Sequence, residues 1–291
     1  MSVQNVMNLI QEKNIEWVDF RFVDLSGRAH HISLPASEVS DETFEIGVAF
    51  DGSSIPGFRG IEESDMVMMP DPASVYVDPF TAHATLVVMC NIFTPDGQRY
   101  DRDPRSIAQK AEEYLQTTGV GTSAFFAPES EFFIFDDVRF ESGMNTSFYS
   151  VDSEEAVWNS GRKEEGGNLA SKCQKKGGYV PVAPTDSQQD IRSEMCRLLI
   201  ESGLRIERHH HEVATAGQGE INFRFDTLTT TADNLMKYKY IVQNTARQYG
   251  KVATFMPKPL FGDNGSGMHV HQSIFNGDSP LFYEKRRIWQ P

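Results

Sequence analysis

Four segments of this sequence carry oxygen and nitrogen donors at a spacing of two. In Pro128-Glu129-Ser130-Glu131-Phe132-Phe133, both glutamates would project from one face of a strand, because successive side chains alternate across a sheet. In Gly219-Glu220-Ile221-Asn222-Phe223-Arg224-Phe225, the residues Glu220, Asn222 and Arg224 share one face, and Ile221, Phe223 and Phe225 share the other. Glu212 closes the run His209-His210-His211-Glu212, in phase with Ile206, Arg208 and His210. His269, His271 and Ser273 alternate with Val270, Gln272 and Ile274. A carboxylate inside an otherwise apolar strand is costly unless it is paired or bound to a metal ion. Any one such segment alone reads equally as a solvated strand face. Four together favour a cation site. Mostly oxygen donors with one or two imidazoles suit Mg2+ or Mn2+ better than Zn2+, which prefers compact nitrogen and sulfur sites. Consecutive strand residues alternate faces, so the three histidines cannot all ligate one ion. Most of them are expected to be packed or hydrogen-bonded.

Two loops are less specific. Phe261-Gly262-Asp263-Asn264-Gly265-Ser266-Gly267 has three glycines that let backbone approach a ligand and point N–H groups at an anion. No Gly-Lys-Ser/Thr follows, so it is not a Walker A loop. A flexible turn is the common explanation; beside a cation face it becomes a candidate substrate loop. Asp51-Gly52-Ser53-Ser54-Ile55 is likewise turn chemistry by default and a polar site if it reaches a cleft.

The elements that must position these groups can be read from periodicity. Val3, Val6, Met7, Leu9 and Ile10 predict a short amphipathic helix over 3–13. From Glu16 to Val23 the period changes to two, and Asp24-Leu25-Ser26-Gly27 turns the chain into a returning strand over 28–34. A strand is expected at 84–92, after the proline-rich stretch around Pro70, Pro72 and Pro79. Asp103-Pro104 starts a helix that runs to about Thr118 and stops at Gly119, which puts a domain boundary near 100–104. Strands are then expected at 125–135, 204–213, 218–226 and 267–275, with helices at 186–203 and 231–249. The intervening 142–178, rich in Gly, Ser, Lys and Glu, reads as a long surface excursion.

The chain has 291 residues, enough for one large domain or two ordinary ones with real cores. Lys plus Arg total 27 against 41 Asp plus Glu, a net charge of −14 that disfavours nucleic acid and anionic membrane surfaces. No apolar run approaches a bilayer span, and the first residues do not form a signal peptide. Three cysteines, far apart and outside any CxxC pair, fit a reducing compartment. The expectation is a soluble, cytoplasmic protein.

Taken together, these segments resemble glutamine synthetase of the bacterial class I type. The matching runs are Phe50-Asp51-Gly52-Ser53-Ser54-Ile55, Glu63-Ser64-Asp65-Met66, Pro128 to Phe133, Gly178-Tyr179 and Thr185-Asp186-Ser187. The most extended are His209 to Gln218 and Lys258 to His269, and the likeness covers residues 1 to about 275 in order. The resemblance implies an α+β chain: an N-terminal β-grasp-like domain over 1–103, and a catalytic domain over 104–291 with a curved antiparallel sheet. It implies ATP-dependent ligation of ammonia to L-glutamate through γ-glutamyl phosphate, with two or more Mg2+ or Mn2+ ions. Active sites would lie between subunits of a dodecamer.

Carried over by position, Glu131, Glu212 and Glu220 would hold one ion, and Glu129 and His269 the nucleotide-linked one. Glu207, His271 and Ser273 resemble nucleotide contacts, with Phe223 and Phe225 nearby. Asn264, Gly265 and Glu131 resemble the side that receives glutamate. Asp51 and Ser54 from an adjacent subunit, with Tyr179 and Glu212, resemble the ammonium pocket. Family members continue well past residue 291, and the stretch after Pro280 departs from their pattern. On the resemblance, the arginines that grip glutamate and phosphates, the last carboxylate of the second ion, the flap glutamate and the adenylylation tyrosine would lie beyond it. The 291-residue chain alone is therefore expected to have little activity. The alternative is a non-catalytic remnant that binds metal or co-assembles with a full-length relative.

Overall fold

The computed structural model describes residues 1–159 and 171–283. The chain divides into two compact units: Met1–Phe126 with Asp226–Met236 and Gln272–Pro291, and Ala127–Phe225 with Lys237–His271.

In the first unit, helix α1 (Val3–Glu12) is capped by the Ser2 hydroxyl, which accepts from Asn5 N, and it buries Val6 and Ile10. Strands β1 (Trp17–Val23) and β2 (Ala29–Pro35) form the expected hairpin, with Val18, Phe20 and Phe22 inside. Asp24 makes its turn: Oδ1 accepts from Ser26 N, Ser26 Oγ and Arg28 N, and Oδ2 accepts from His30 Nε2 at 2.9 Å. Helix α2 (Asp41–Ile46) leads to β3 (Val48–Asp51), β4 (Asp65–Pro70), β5 (Tyr76–Val77) and β6 (Thr85–Phe93). The sheet order is β2-β1-β6-β4-β3, with β5 also on β6; β1 runs parallel to β6 and the other pairs are antiparallel. Helix α3 (Pro104–Thr118) begins where the Asp103–Pro104 pair predicts. The Asp103 carboxylate accepts from Arg105 N and Ser106 N, and Gly119 closes the helix in the left-handed region at φ 71°.

Strand β7 (Ser123–Phe135) enters the second unit, followed by a hairpin of β8 (Asp137–Ser142) and β9 (Ser147–Asp152). The hairpin is exposed from Glu141 to Ser150, so the start of the 142–178 excursion lies at the surface as expected, and the departure comes after it. Beyond the hairpin, Ser153, Glu155, Ala156, Asn159 and Cys173 are buried, while 160–170 lie outside the described residues. Then come α4 (Gln189–Glu201), β10 (Ile206–His211), β11 (Gln218–Phe223), β12 (Asp226–Thr227) and α5 (Leu228–Gln248). Strands β13 (Val252–Thr254), β14 (Met268–Asn276) and β15 (Ser279–Pro280) complete the order. The second sheet runs β10-β11-β7-β14-β15, with β12 and β13 also on β7, giving the expected α+β architecture with a curved antiparallel sheet. Of the tail after Pro280, residues 284–291 lie outside the described residues.

Two relationships anchor these elements. Tyr238 on α5 buries its ring against Phe132 and Phe223 and donates its hydroxyl to Ser130 O at 2.9 Å. Arg105, at the start of α3, is buried and bridges Asp71 at 2.6 Å and Asp233 on α5 at 2.9 Å, and also bonds Asn91 Oδ1. The three cysteines are free and buried. Among the described residues, no helix is long and apolar enough to cross a membrane.

Candidate metal and substrate site

Strand register aligns the donors. His210 on β10 is the cross-strand partner of Glu220 on β11, and Glu220 is the partner of Glu131 on β7. An imidazole and two carboxylates thus form one row across three strands, with Glu212 just past the end of β10. Ligand atoms of His210, Glu212 and Glu220 all lie within 4.8 Å of one another. His210 Nδ1 is 3.4 Å from Glu212 and its Nε2 is 3.9 Å from Glu220. Every residue of β11 is buried, as a strand covered on both faces requires. Ile221 and Phe223 face the core, while Glu220 faces the row and accepts from Asn222 Nδ2 at 2.6 Å. Between Ile206 and Arg208 the β10–β11 register slips at a bulge that contains Glu207, which is exposed.

The electrostatics favour a cation. Among the described residues, no Lys or Arg lies within salt-bridge distance of Glu131, Glu212 or Glu220; their polar partners are neutral donors and His210. Burial pushes the Glu131 carboxyl above its ordinary value, and the Glu212 and Glu220 charges add to this against a Gly267 backbone bond that lowers it. Burial likewise raises Glu220, outweighing the Asn222 bond and His210.

The resemblance groups Glu131, Glu212 and Glu220 as one ligand set. Two of these, Glu212 and Glu220, also cluster with His210, for which the sequence suggested only a packed or hydrogen-bonded role. Its parity with Glu212 was the available signal. The other two histidines have different surroundings. Half-buried His209 lies 3.2 Å from Ser193 Oγ, and burial lowers its pKa. His211 is 1% exposed. Burial depresses its pKa, but the Glu155 carboxylate at 3.0 Å outweighs that and raises it.

Glu129, two residues before Glu131 on β7, gathers a second group. Its carboxylate is 3.2 Å from His271 Nε2, 3.6 Å from His269 Nδ1 and 3.7 Å from Arg208 Nη2. Both histidines are largely exposed, and Ser273 lies two residues further along β14, half-buried. The Phe223 ring is buried against Tyr238, whereas Phe225 is exposed.

The glycine loop is clamped from below. Asp263 is buried; its carboxylate accepts from Thr215 N, Thr215 Oγ1 and Asn264 N, and its carbonyl accepts from Lys258 Nζ. At Gly265 a Cβ would stand 2.2 Å from Pro257 O, so only glycine fits. Gln218 joins this loop to the carboxylate row, donating to Gly265 O at 2.9 Å and Glu131 Oε2 at 2.7 Å. Sequence reasoning gave Gln218 no role. Tyr179 is exposed, and its ring meets the His210 ring edge-on at 5.8 Å. Asp51 and Ser54 belong to the other unit. There Asp51 is exposed and accepts from Ser53 N, Ser53 Oγ and Ser54 Oγ at 2.6–2.8 Å, bonds that hold its pKa below the ordinary value.

Comparison with known proteins supplies the context. Residues 14–95 match the family model described as "Glutamine synthetase, beta-Grasp domain", and residues 101–289 match "Glutamine synthetase, catalytic domain". A glutamine synthetase of Vibrio cholerae is 57% identical over 97% of this chain. A "3-hydroxylaminophenol mutase" of Cupriavidus pinatubonensis is 55% identical over 97%. The chain spans about 60% of the length of each of these relatives. Among solved structures, a Plasmodium falciparum glutamine synthetase superposes with a TM-score of 0.90 at 29% identity, covering 99% of this chain and 56% of that one.

Proposed function

This chain belongs to the glutamine synthetase family, and from that premise we propose that it serves the ATP-dependent ligation of ammonia to L-glutamate, giving L-glutamine through γ-glutamyl phosphate. The observation that carries this reading is the convergence of His210, Glu212 and Glu220 in a row with Glu131. The donor set fits a hard divalent cation. It is oxygen-rich with one imidazole, lacks a cationic side chain, and contains two carboxyls raised by burial. Glu131, Glu212 and Glu220, with His210 beside them, would hold one Mg2+ or Mn2+ ion, and Glu129 and His269 a second. When bound, such ions screen the charge of the nucleotide phosphates and the substrate carboxylate.

The chain's own residues bind and orient the reactants. Asn264 and Gly265, on the loop clamped by Asp263, receive glutamate beside Glu131. The substrate γ-carboxylate oxygen takes the terminal phosphoryl group of ATP and ADP departs, which turns a poor leaving group into phosphate. Ammonia then attacks the acyl carbon and phosphate leaves. Tyr179 and Glu212, with the partner subunit's Asp51 and Ser54, form the ammonium pocket. The ionised Asp51 favours the cation, and a pocket carboxylate takes the proton that ammonium must lose before it attacks. Glu207, Phe225, His271 and Ser273 contact the nucleotide, and Phe223 does so through its backbone. The domain division falls at 103/104, the assembly is a homo-dodecamer with sites between subunits, and the location is cytoplasmic.

An isotope experiment tests the reaction. Glutamate carrying 18O in its γ-carboxylate, supplied with ATP, Mn2+ and ammonium, should deliver one label to each phosphate released, at the low turnover expected of residues 1–291 alone. Unlabelled phosphate would sink the acyl-phosphate route.

A further inference from the structure

We propose that Glu155 and His211 are a positioning pair that holds Tyr179 and Glu212 at a fixed separation, so that two walls of the ammonium pocket are set by residues that never touch the substrate. This rests on the reading of Tyr179 and Glu212 given above.

The pair lies behind the carboxylate row. His210 faces the row, so the next residue, His211, faces away from it and into the interior. His211 Nδ1 stands 2.7 Å from Gly178 O and 2.7 Å from Glu212 O. Carbonyls only accept, so Nδ1 carries the proton and shares it between them. On the other side of the ring, Nε2 is 3.0 Å from Glu155 Oε2. One ring therefore ties together the segment before Tyr179, the end of β10 and the turn after β9. Glu155 is anchored in its turn, because Oε1 accepts from Ser187 N at 2.6 Å and from Ser187 Oγ at 3.0 Å.

Tyr179 needs such support. The residue is 60% exposed, so its own packing does not fix it. Its neighbours do. Gly178 N donates to Val213 O at 2.9 Å, and Val180 N donates to His211 O at 3.2 Å. Val180 has φ 48°, a left-handed conformation that a β-branched residue keeps only when its surroundings impose it. A Cβ at Gly178 would lie 2.5 Å from Ala214 O and 2.6 Å from Glu212 O, so the segment is pressed against the strand end that carries Glu212. Buried acid–imidazole pairs carry a large desolvation cost, which apolar residues would avoid if packing were the only task.

The test compares the parent chain with Glu155→Gln and Glu155→Ala by amide hydrogen exchange and Mn2+ titration. In Glu155→Ala, the amides of Gly178 and Val180 should exchange about tenfold faster while the β1–β2 hairpin stays unchanged, and Mn2+ affinity should fall about tenfold. Glu155→Gln keeps the buried volume and the two Ser187 bonds but removes the carboxylate charge facing His211, so it should fold and show a partial effect of about threefold in exchange. An unchanged exchange rate at Gly178 and Val180 in Glu155→Gln overturns the proposal. So does faster exchange with Mn2+ affinity at the parent value, since the pair would then hold chain without positioning Glu212. A parent chain that takes up no Mn2+ removes the cation reading instead, and the exchange rates still decide the tether.

Discussion

Glu131 and Glu220 are direct cross-strand partners on β7 and β11. Like charges placed opposite each other in a sheet repel, and neither carboxylate has a Lys or Arg within salt-bridge distance among the described residues. The fold therefore retains a locally unfavourable pair, which is expected where a ligand completes the charge balance.

Glu220→Gln should accordingly stabilise the metal-free protein while it destroys the site. Relief of one like-charge pair is about 0.2–1 kcal/mol. Thermal unfolding in a chelator should show a small rise in Tm, and Mn2+ titration should show loss of high-affinity binding. A variant that binds Mn2+ as the parent does would remove Glu220 from the ligand set.

Burial, with repulsion from neighbouring carboxylates, raises Glu131 and Glu220, so the folded state holds their protons more tightly than the unfolded chain does. The stability linked to their protonated forms is full below the ordinary glutamate value of about 4.3 and is lost as pH rises through the raised values. Mn2+ uptake at about pH 5 should therefore release protons, because the ion displaces them from these carboxyls. Titration calorimetry in two buffers of different ionisation enthalpy measures the release; equal heats in both would contradict it.

Asp24 has the opposite sign. Its burial raises the pKa, but bonds from His30, Ser26 and Arg28 outweigh this and hold it far below the ordinary carboxylate range. Its contribution is present above the unfolded value of about 3.9 and lost as pH falls through the depressed folded value. Asp24→Ala should cost about 1–3 kcal/mol at neutral pH in urea unfolding. The difference from the parent should shrink as the pH is lowered towards about 2.

Arg105→Met should be more damaging. The guanidinium bridges Asp71 and Asp233, and its loss leaves both acids near one another without their shared cation. Breaking such a buried pair costs about 3–5 kcal/mol. Denaturant unfolding measures it, and a cost under about 1 kcal/mol would show that solvent replaces the arginine.

Much of this was legible because it depends on short-range rules. The Asp103–Pro104 start of α3, its Gly119 stop and the alternation of Glu129 with Glu131 all follow from local geometry. Strands β3 and β4 were not, since neither Val48–Asp51 nor the methionine-rich Asp65–Pro70 carries a clear polar alternation. The β8–β9 hairpin was missed because its exposed residues hide the pattern a half-buried strand would show. Glu155 was invisible for another reason. Its partner His211 is 56 residues away, and no spacing rule connects a turn acid to a strand histidine at that range.

The run of three histidines has a consequence for copying errors. A one-residue slip of β10 against β11 would still present an imidazole opposite Glu220, but it would turn Glu212 to the opposite face. Histidine content alone would not register the mistake; the carboxylate sets the phase. The bulge around Glu207 lies upstream of both, at the place where the strand already accommodates one residue out of step. A length change absorbed there would leave His210 opposite Glu220 and Glu212 in phase, so this strand confines its tolerance for error to the end away from the carboxylate row.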